Sequence, residues 1–162
     1  MYKRQPLKRF PFDLNQTLDD KTVHLVQRAL VYVGEQGSAR RARAKLPAGF
    51  QFAGKTGTSG SQRDSWFAGF TGDMLAVVWL GNDDNTPTAL TGSSGALPVW
   101  ADLIASASKQ PLNLAPRSDM DYVLVDAQTG EQCRRRCRAY CQEKIELPFI
   151  KQTAPSPRSA CR

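Results

Sequence analysis

Lys55, Thr56, Gly57 and Thr58 form the chain's most chemically suggestive run. A fixed positive charge and two hydroxyls stand beside a position with no side chain to block an approaching ligand. A lysine at a strand end is ordinary surface by itself, so the run gains meaning only from its surroundings. A second set, Cys133, Cys137 and Cys141 at spacings of four with Cys161 near the end, lies entirely beyond position 130. In a helix the first three would line one face, with Arg134, Arg135, Arg136 and Arg138 around it. A metal site is the competing reading, but structural zinc favours C-x2-C pairs and iron-sulfur motifs have other spacings. In an oxidising compartment four cysteines allow two disulfides in three connectivities. His24 is the only histidine, which excludes sites that need two, such as an HExxH zinc site.

The elements that must position these groups follow from periodicity. Residues 17–36 begin with the capping types Thr17, Asp19 and Asp20. Val23, Val26, Leu30 and Val33 then recur at spacings of three and four, predicting an amphipathic helix with its acids at the positive end. His24, one residue off that stripe, is expected at an interface. Ser38 is placed to cap a second short helix through SARRARAKL. From Phe50 the pattern becomes three apolar and aromatic runs, GFQFAGKTGT, DSWFAGF and DMLAVVWLG, read as consecutive strands. Thr71 and Gly72 make the last two an antiparallel hairpin. Near-continuous apolar content predicts that both sheet faces are covered. ALPVWADLIASASK, with Pro98 in its first turn, predicts a helix burying Leu97, Trp100, Leu103, Ile104 and Ala107. Helix, three strands and helix make an α+β layer with antiparallel pairing. After Pro111 come a linker, a strand at Tyr122 to Val125, a turn at Thr129 and Gly130, the Cys/Arg segment and a short apolar LPFI.

The 162 residues are 41% hydrophobic and 23% charged, enough for one ordinary globular domain and unlike disordered, collagen or coiled-coil chains. The longest apolar stretch, Met74 to Leu80, is far short of the roughly 20 residues of a membrane span. MYKRQPLKRF lacks the apolar core of a signal peptide, so as given the chain is expected neither to span a membrane nor to export itself. The net charge of +7 gathers in Lys3 to Arg9, Arg40 to Lys45 and Arg134 to Arg138, compatible with an anionic membrane or wall polymer or simply with solvated faces. A nucleic-acid module would interleave aromatics with the basic groove. Here the aromatics sit in apolar strands, and no nucleic-acid partner is expected. Trp66, Phe67, Phe70, Trp79 and Trp100 are assigned to core packing rather than to ligand stacking. Asp83 and Asp84 are assigned to a turn rather than to a metal pair, and no cofactor or metal is expected.

The stretch from Gly54 to Ile104, GKTGTSGSQRDSWFAGFTGDMLAVVWLGNDDNTPTALTGSSGALPVWADLI, resembles the C-terminal part of the transpeptidase domain of class A, bifunctional penicillin-binding proteins, above all the 1B type. LKRFPF and the helix ending in GSAR upstream, and DYVLVDAQTG and LPFI downstream, extend the likeness; residues 131–146 lie outside it. The resemblance implies part of a β-lactamase/transpeptidase-like fold over residues 1–110, followed by a linker and Cys/Arg-rich extension over 111–162. It implies a peptidoglycan synthase that cross-links stem peptides through a serine acyl-enzyme at D-Ala-D-Ala ends, uses a lipid-linked precursor and is trapped by β-lactams. It places the chain on the periplasmic side of the bacterial inner membrane, where a disulfide tying Cys161 to one of Cys133, Cys137 and Cys141 would persist.

The family's motifs run SxxK, SxN, KTG. Only KTG stands in its required place here; there is no SxN, and the one SxxK, Ser106 to Lys109, follows KTG and is no candidate nucleophile. The chain therefore reads as a fragment, without nucleophile, glycosyltransferase domain or membrane anchor, and catalysis by these residues alone is not expected. By resemblance Lys55 is the catalytic charge that attracts the substrate carboxylate, and the hydroxyls of Thr56 and Thr58 hydrogen-bond that carboxylate or the adjoining SxN serine. The Thr58 N–H is an oxyanion donor, and Gly57 keeps the strand open for an added substrate strand. The alternative is a non-catalytic basic binding module, a cell-wall partner or a nucleic-acid binder.

Overall fold

The computed structural model describes residues 15–133, 141 and 143–155. Helix α1 runs Asp20–Glu35, and a 3-10 turn over Arg40–Ala44 follows it. Strands β1 (Ala53–Thr58), β2 (Asp64–Phe70) and β3 (Leu75–Gly81) form an antiparallel sheet in chain order. Helix α2 spans Ala96–Ala107, and β4 (Met120–Asp126) pairs antiparallel with β5 (Lys144–Ile150) in a second sheet. The architecture is α+β with antiparallel pairing, as the periodicity predicts.

Asp19 starts α1 by accepting from the backbone N–H of Lys21 and Thr22, both at 3.0 Å, and from the Thr22 hydroxyl. Those donors hold its carboxyl below the usual range. The face that α1 buries differs from the expected valine stripe: His24, Val31 and Gly34 are buried, while Val26 is exposed. Two neighbours cause this. Gly34 lies against Phe52, where an added Cβ would meet the ring at 2.9 Å, and His24 Nε2 lies 3.0 Å from the Tyr122 hydroxyl of β4. Ser38 caps nothing; the 3-10 turn begins at Ala39 without a side-chain cap.

The core lies between the first sheet and the helices. Trp100 of α2 packs its ring 4.8 Å from Phe67 and 5.1 Å from Phe52, and Leu97, Ala101 and Ile104 complete the layer. Each of the large side chains adds about 1.5–3 kcal/mol by burial, the Ala101 methyl about 0.8, and each ring pair about 0.5–1.5 more. Leu103 and Ala107, expected in the stripe, are exposed.

The expectation that both sheet faces are covered does not hold among the described residues. Trp79 is 46% exposed and Leu75 74%, and Trp66 and Val77 lie open beside them. Strand alternation explains it: Phe67 and Ser65 point to the helices, so their neighbours point away. Trp66 and Trp79 are thus surface partners with ring centroids 6.1 Å apart, not core.

LPFI, whose strand character the sequence hides, belongs to β5 and carries Pro148 opposite Tyr122. A Cys133–Cys141 disulfide joins the chain across the segment between β4 and β5. Cys137, Cys161, the arginines from Arg134 to Arg138 and LKRFPF lie outside the described residues.

Candidate functional site

Strand β1 is an edge: among the described residues it pairs only with β2. Gly57 stands opposite Trp66 and Lys55 opposite Ala68, so these four share the outer face, while Thr56 and Thr58 alternate toward the helical side. The exposed Lys55 ammonium bends along the edge and donates to the Thr56 carbonyl at 2.9 Å and to Thr56 Oγ1 at 3.4 Å. Charge and hydroxyl therefore reach one point from two faces of the strand.

Both threonine hydroxyls are held from outside the strand. Thr56 Oγ1 lies 2.7 Å from Ser38 Oγ, and Thr58 Oγ1 accepts the Gly92 N–H at 2.9 Å. Ser93 donates its hydroxyl to the Ser38 carbonyl at 3.0 Å, linking the turn before α2 to the turn after α1. Gly92 must be glycine for steric reasons: an added Cβ would meet Trp66 O at 2.5 Å and Gly57 O at 2.6 Å. Those atoms are backbone and cannot give way. Ser65, fully buried in β2, anchors the same turn by donating to Thr91 O at 2.8 Å and accepting from Ala96 N at 2.9 Å. It thus supplies the α2 N-terminus with the cap that Gly95 lacks.

Beside the site, Asp64 accepts the Trp79 indole N–H at 2.9 Å. That bond, followed by one from Ser59, holds the Asp64 carboxyl below its usual range. The outer face thus carries a fixed indole next to Trp66.

Lys55, Thr56, Gly57 and Thr58 come together on one exposed edge. Ser106, in contrast, donates to the Leu103 carbonyl of its own helix at 2.8 Å. Asp84 forms a turn, accepting from the Thr86 N–H at 3.1 Å and hydroxyl at 2.7 Å, and those bonds lower its pKa. Among the described residues no group of three or more His, Cys, Asp or Glu side chains is arranged to hold a metal ion. Sequence reasoning missed Ser38, Ser65, Gly92 and Ser93. TGSSG signals a turn, yet nothing local says which strand that turn will press on.

No protein-family model matches the chain. Over 106 residues, 65% of its length, it is 37% identical to penicillin-binding protein 1B of Escherichia coli strain K12. It is 39% identical over 101 residues to penicillin-binding protein 1B of Vibrio cholerae, and 33% over 96 residues to penicillin-binding protein 1A of Neisseria cinerea. Its fold is similar to the crystal structure of penicillin-binding protein 1A from Haemophilus influenzae, with a TM-score of 0.70 at 23% identity over 88% of this chain and 22% of that one. The chain spans 12% of the length of the Escherichia coli relative and 13% of the Vibrio cholerae one.

Proposed function

Starting from the similarity to penicillin-binding proteins 1B and 1A, we propose that the chain is part of a peptidoglycan synthase and forms the KTG side of its D-Ala-D-Ala transpeptidase site. The observation that carries the proposal is Lys55 bent over Thr56 on a strand edge that no other described strand pairs. A peptide ending in a carboxylate would lie along β1 as an added strand, its charge facing Lys55 and its carboxylate oxygens accepting from Thr56 and Thr58. The bare Cα of Gly57 lets it approach. The N–H of Thr58 serves as an oxyanion donor, a role whose loss costs on the order of a hundredfold in rate. Lys55 also stabilises negative charge developing beside it, which assigns it the catalytic role on this strand.

These residues hold no SxN and no SxxK ahead of KTG, so the acylated serine is not among them. Acyl transfer belongs to the enzyme of which this strand is one wall; the chain contributes recognition and charge. Its partners are then the stem peptide, the lipid-linked precursor and β-lactams that imitate the peptide. Its place is the periplasmic side of the inner membrane. No helix among the described residues is long and apolar enough to cross a membrane. The division into residues 1–110 and an extension over 111–162 is part of the same proposal.

Fluorescent penicillin applied to membranes of the source cells, followed by an immunoblot with an antibody to this chain, tests the reading. A labelled band much heavier than 17.9 kDa that the antibody also stains is expected. An antibody-stained band of about that mass with no label would move the function to a non-catalytic binding role.

A further inference from the structure

The geometry points to Ser38 as a positioning residue for the substrate carboxylate, acting by orienting the Thr56 hydroxyl; this rests on the reading of β1 as the carboxylate-binding edge. A threonine hydroxyl has one proton to give and two lone pairs to fill. Lys55, a donor only, approaches Thr56 Oγ1 at 3.4 Å and directs a proton at one lone pair. Ser38 Oγ, at 2.7 Å, stands at the other. When both donate inward, Thr56 has no acceptor left to serve inside the protein. Its own proton then points to the open edge, ready for an anionic oxygen.

Two features suit Ser38 to this task. Its backbone is pinned by the Ser93 hydroxyl at 3.0 Å, so its oxygen sits at a fixed place relative to β1. Its hydroxyl has no other hydrogen-bond partner among the described residues, so it can turn its proton to Thr56 when an anion arrives. Ser38 therefore touches neither substrate nor reacting atoms and works through Thr56. Because Ser93 belongs to the same turn whose Gly92 N–H holds Thr58, one turn governs both hydroxyls of the edge.

The test uses the whole 162-residue chain in solution, with acetyl-D-alanyl-D-alanine as probe. Three-bond couplings give the Thr56 side-chain rotamer populations, and amide shifts along β1 give the affinity. Wild-type protein is expected to show one dominant Thr56 rotamer. Ser38→Ala should average the rotamers and weaken the probe by about three- to tenfold, the loss of part of one hydrogen bond to a charged group. Ser38→Thr, which keeps the hydroxyl at an exposed position, should restore both within about twofold. An unchanged Thr56 rotamer in Ser38→Ala, or averaging with undiminished affinity, overturns the role of Ser38. Absence of probe binding to wild type instead sinks the reading of β1, while the couplings still decide whether Ser38 orients Thr56.

Discussion

Ser65→Ala isolates the link between the sheet and the turn that holds the candidate site. Ser65 is fully buried, and its oxygen is the partner of the Ala96 N–H at the start of α2. Alanine is nearly the same size, so no cavity complicates the outcome. The Thr91 carbonyl keeps other donors, the N–H groups of Ser94 at 3.1 Å and Gly95 at 2.8 Å, and loses little. The Ala96 N–H, in contrast, becomes an unpartnered donor on a fully buried residue. Losing an N-cap costs about 0.5–2 kcal/mol, and orphaning a buried donor about 1–3. These describe the same lost bond, so the expected destabilisation is about 1.5–2 kcal/mol rather than their sum. For a chain of this size that is a fall in Tm of roughly 3–8 °C. Urea unfolding followed by tryptophan fluorescence measures it, since Trp100 sits on the affected helix. The α2 amides near Ala96 should also lose exchange protection. A Ser65→Ala protein as stable as wild type would refute the reasoning, because it would mean that the Ala96 N–H finds another partner at no cost.

Other perturbations have equally definite outcomes. Gly92→Ala forces a methyl into the backbone of Gly57 and Trp66 and should cost about 1–3 kcal/mol in urea unfolding, with the largest amide shift changes at Gly57 and Trp66. His24 has a pKa lowered from 6.5, first by burial and then by Arg117 and Arg28. The unfolded chain therefore binds its proton more readily. The stability due to neutral His24 is present above about pH 6.5 and is lost as pH falls through the lower folded value, a dependence that His24→Gln should remove. Asp73 is held at about 2 by the Ser108 hydroxyl, the Lys109 N–H and the Thr71 hydroxyl. Its contribution is complete above its ordinary value of 3.8 and disappears as pH falls toward about 2, so Asp73→Asn should flatten the acid limb of a stability profile.

The three strands and two helices were legible because their signals are local. Runs of branched and aromatic residues around Thr71 and Gly72 define a hairpin, and Asp19 ahead of a periodic segment defines a helix start. The exposed sheet face was not legible. WFAGF and MLAVVWL are apolar at nearly every position, so alternation cannot say that Phe67 points in and Trp66 out. KIELPFI reads poorly as a strand because Pro148 and its charges oppose it; a strand in a two-stranded sheet has an unpaired side, where a proline is tolerated. At the site, the KTG run stood out because its residue types fall at the end of a strand followed by a hairpin and a helix. Ser38 did not, since a serine before a helical segment reads as a cap, and its contact with Thr56 exists only after α1 and β1 are packed. Ser93 and Gly92 were equally hidden in a turn whose destination only tertiary structure fixes.

Titration of the chain with acetyl-D-alanyl-D-alanine, followed at the β1 amides, tests the central claim most directly. Saturable shifts confined to Lys55 through Thr58 and their neighbours, lost in Lys55→Ala while the rest of the spectrum is kept, are the predicted result. Shifts elsewhere, or binding that survives Lys55→Ala unchanged, would contradict the assignment of this edge as the carboxylate site.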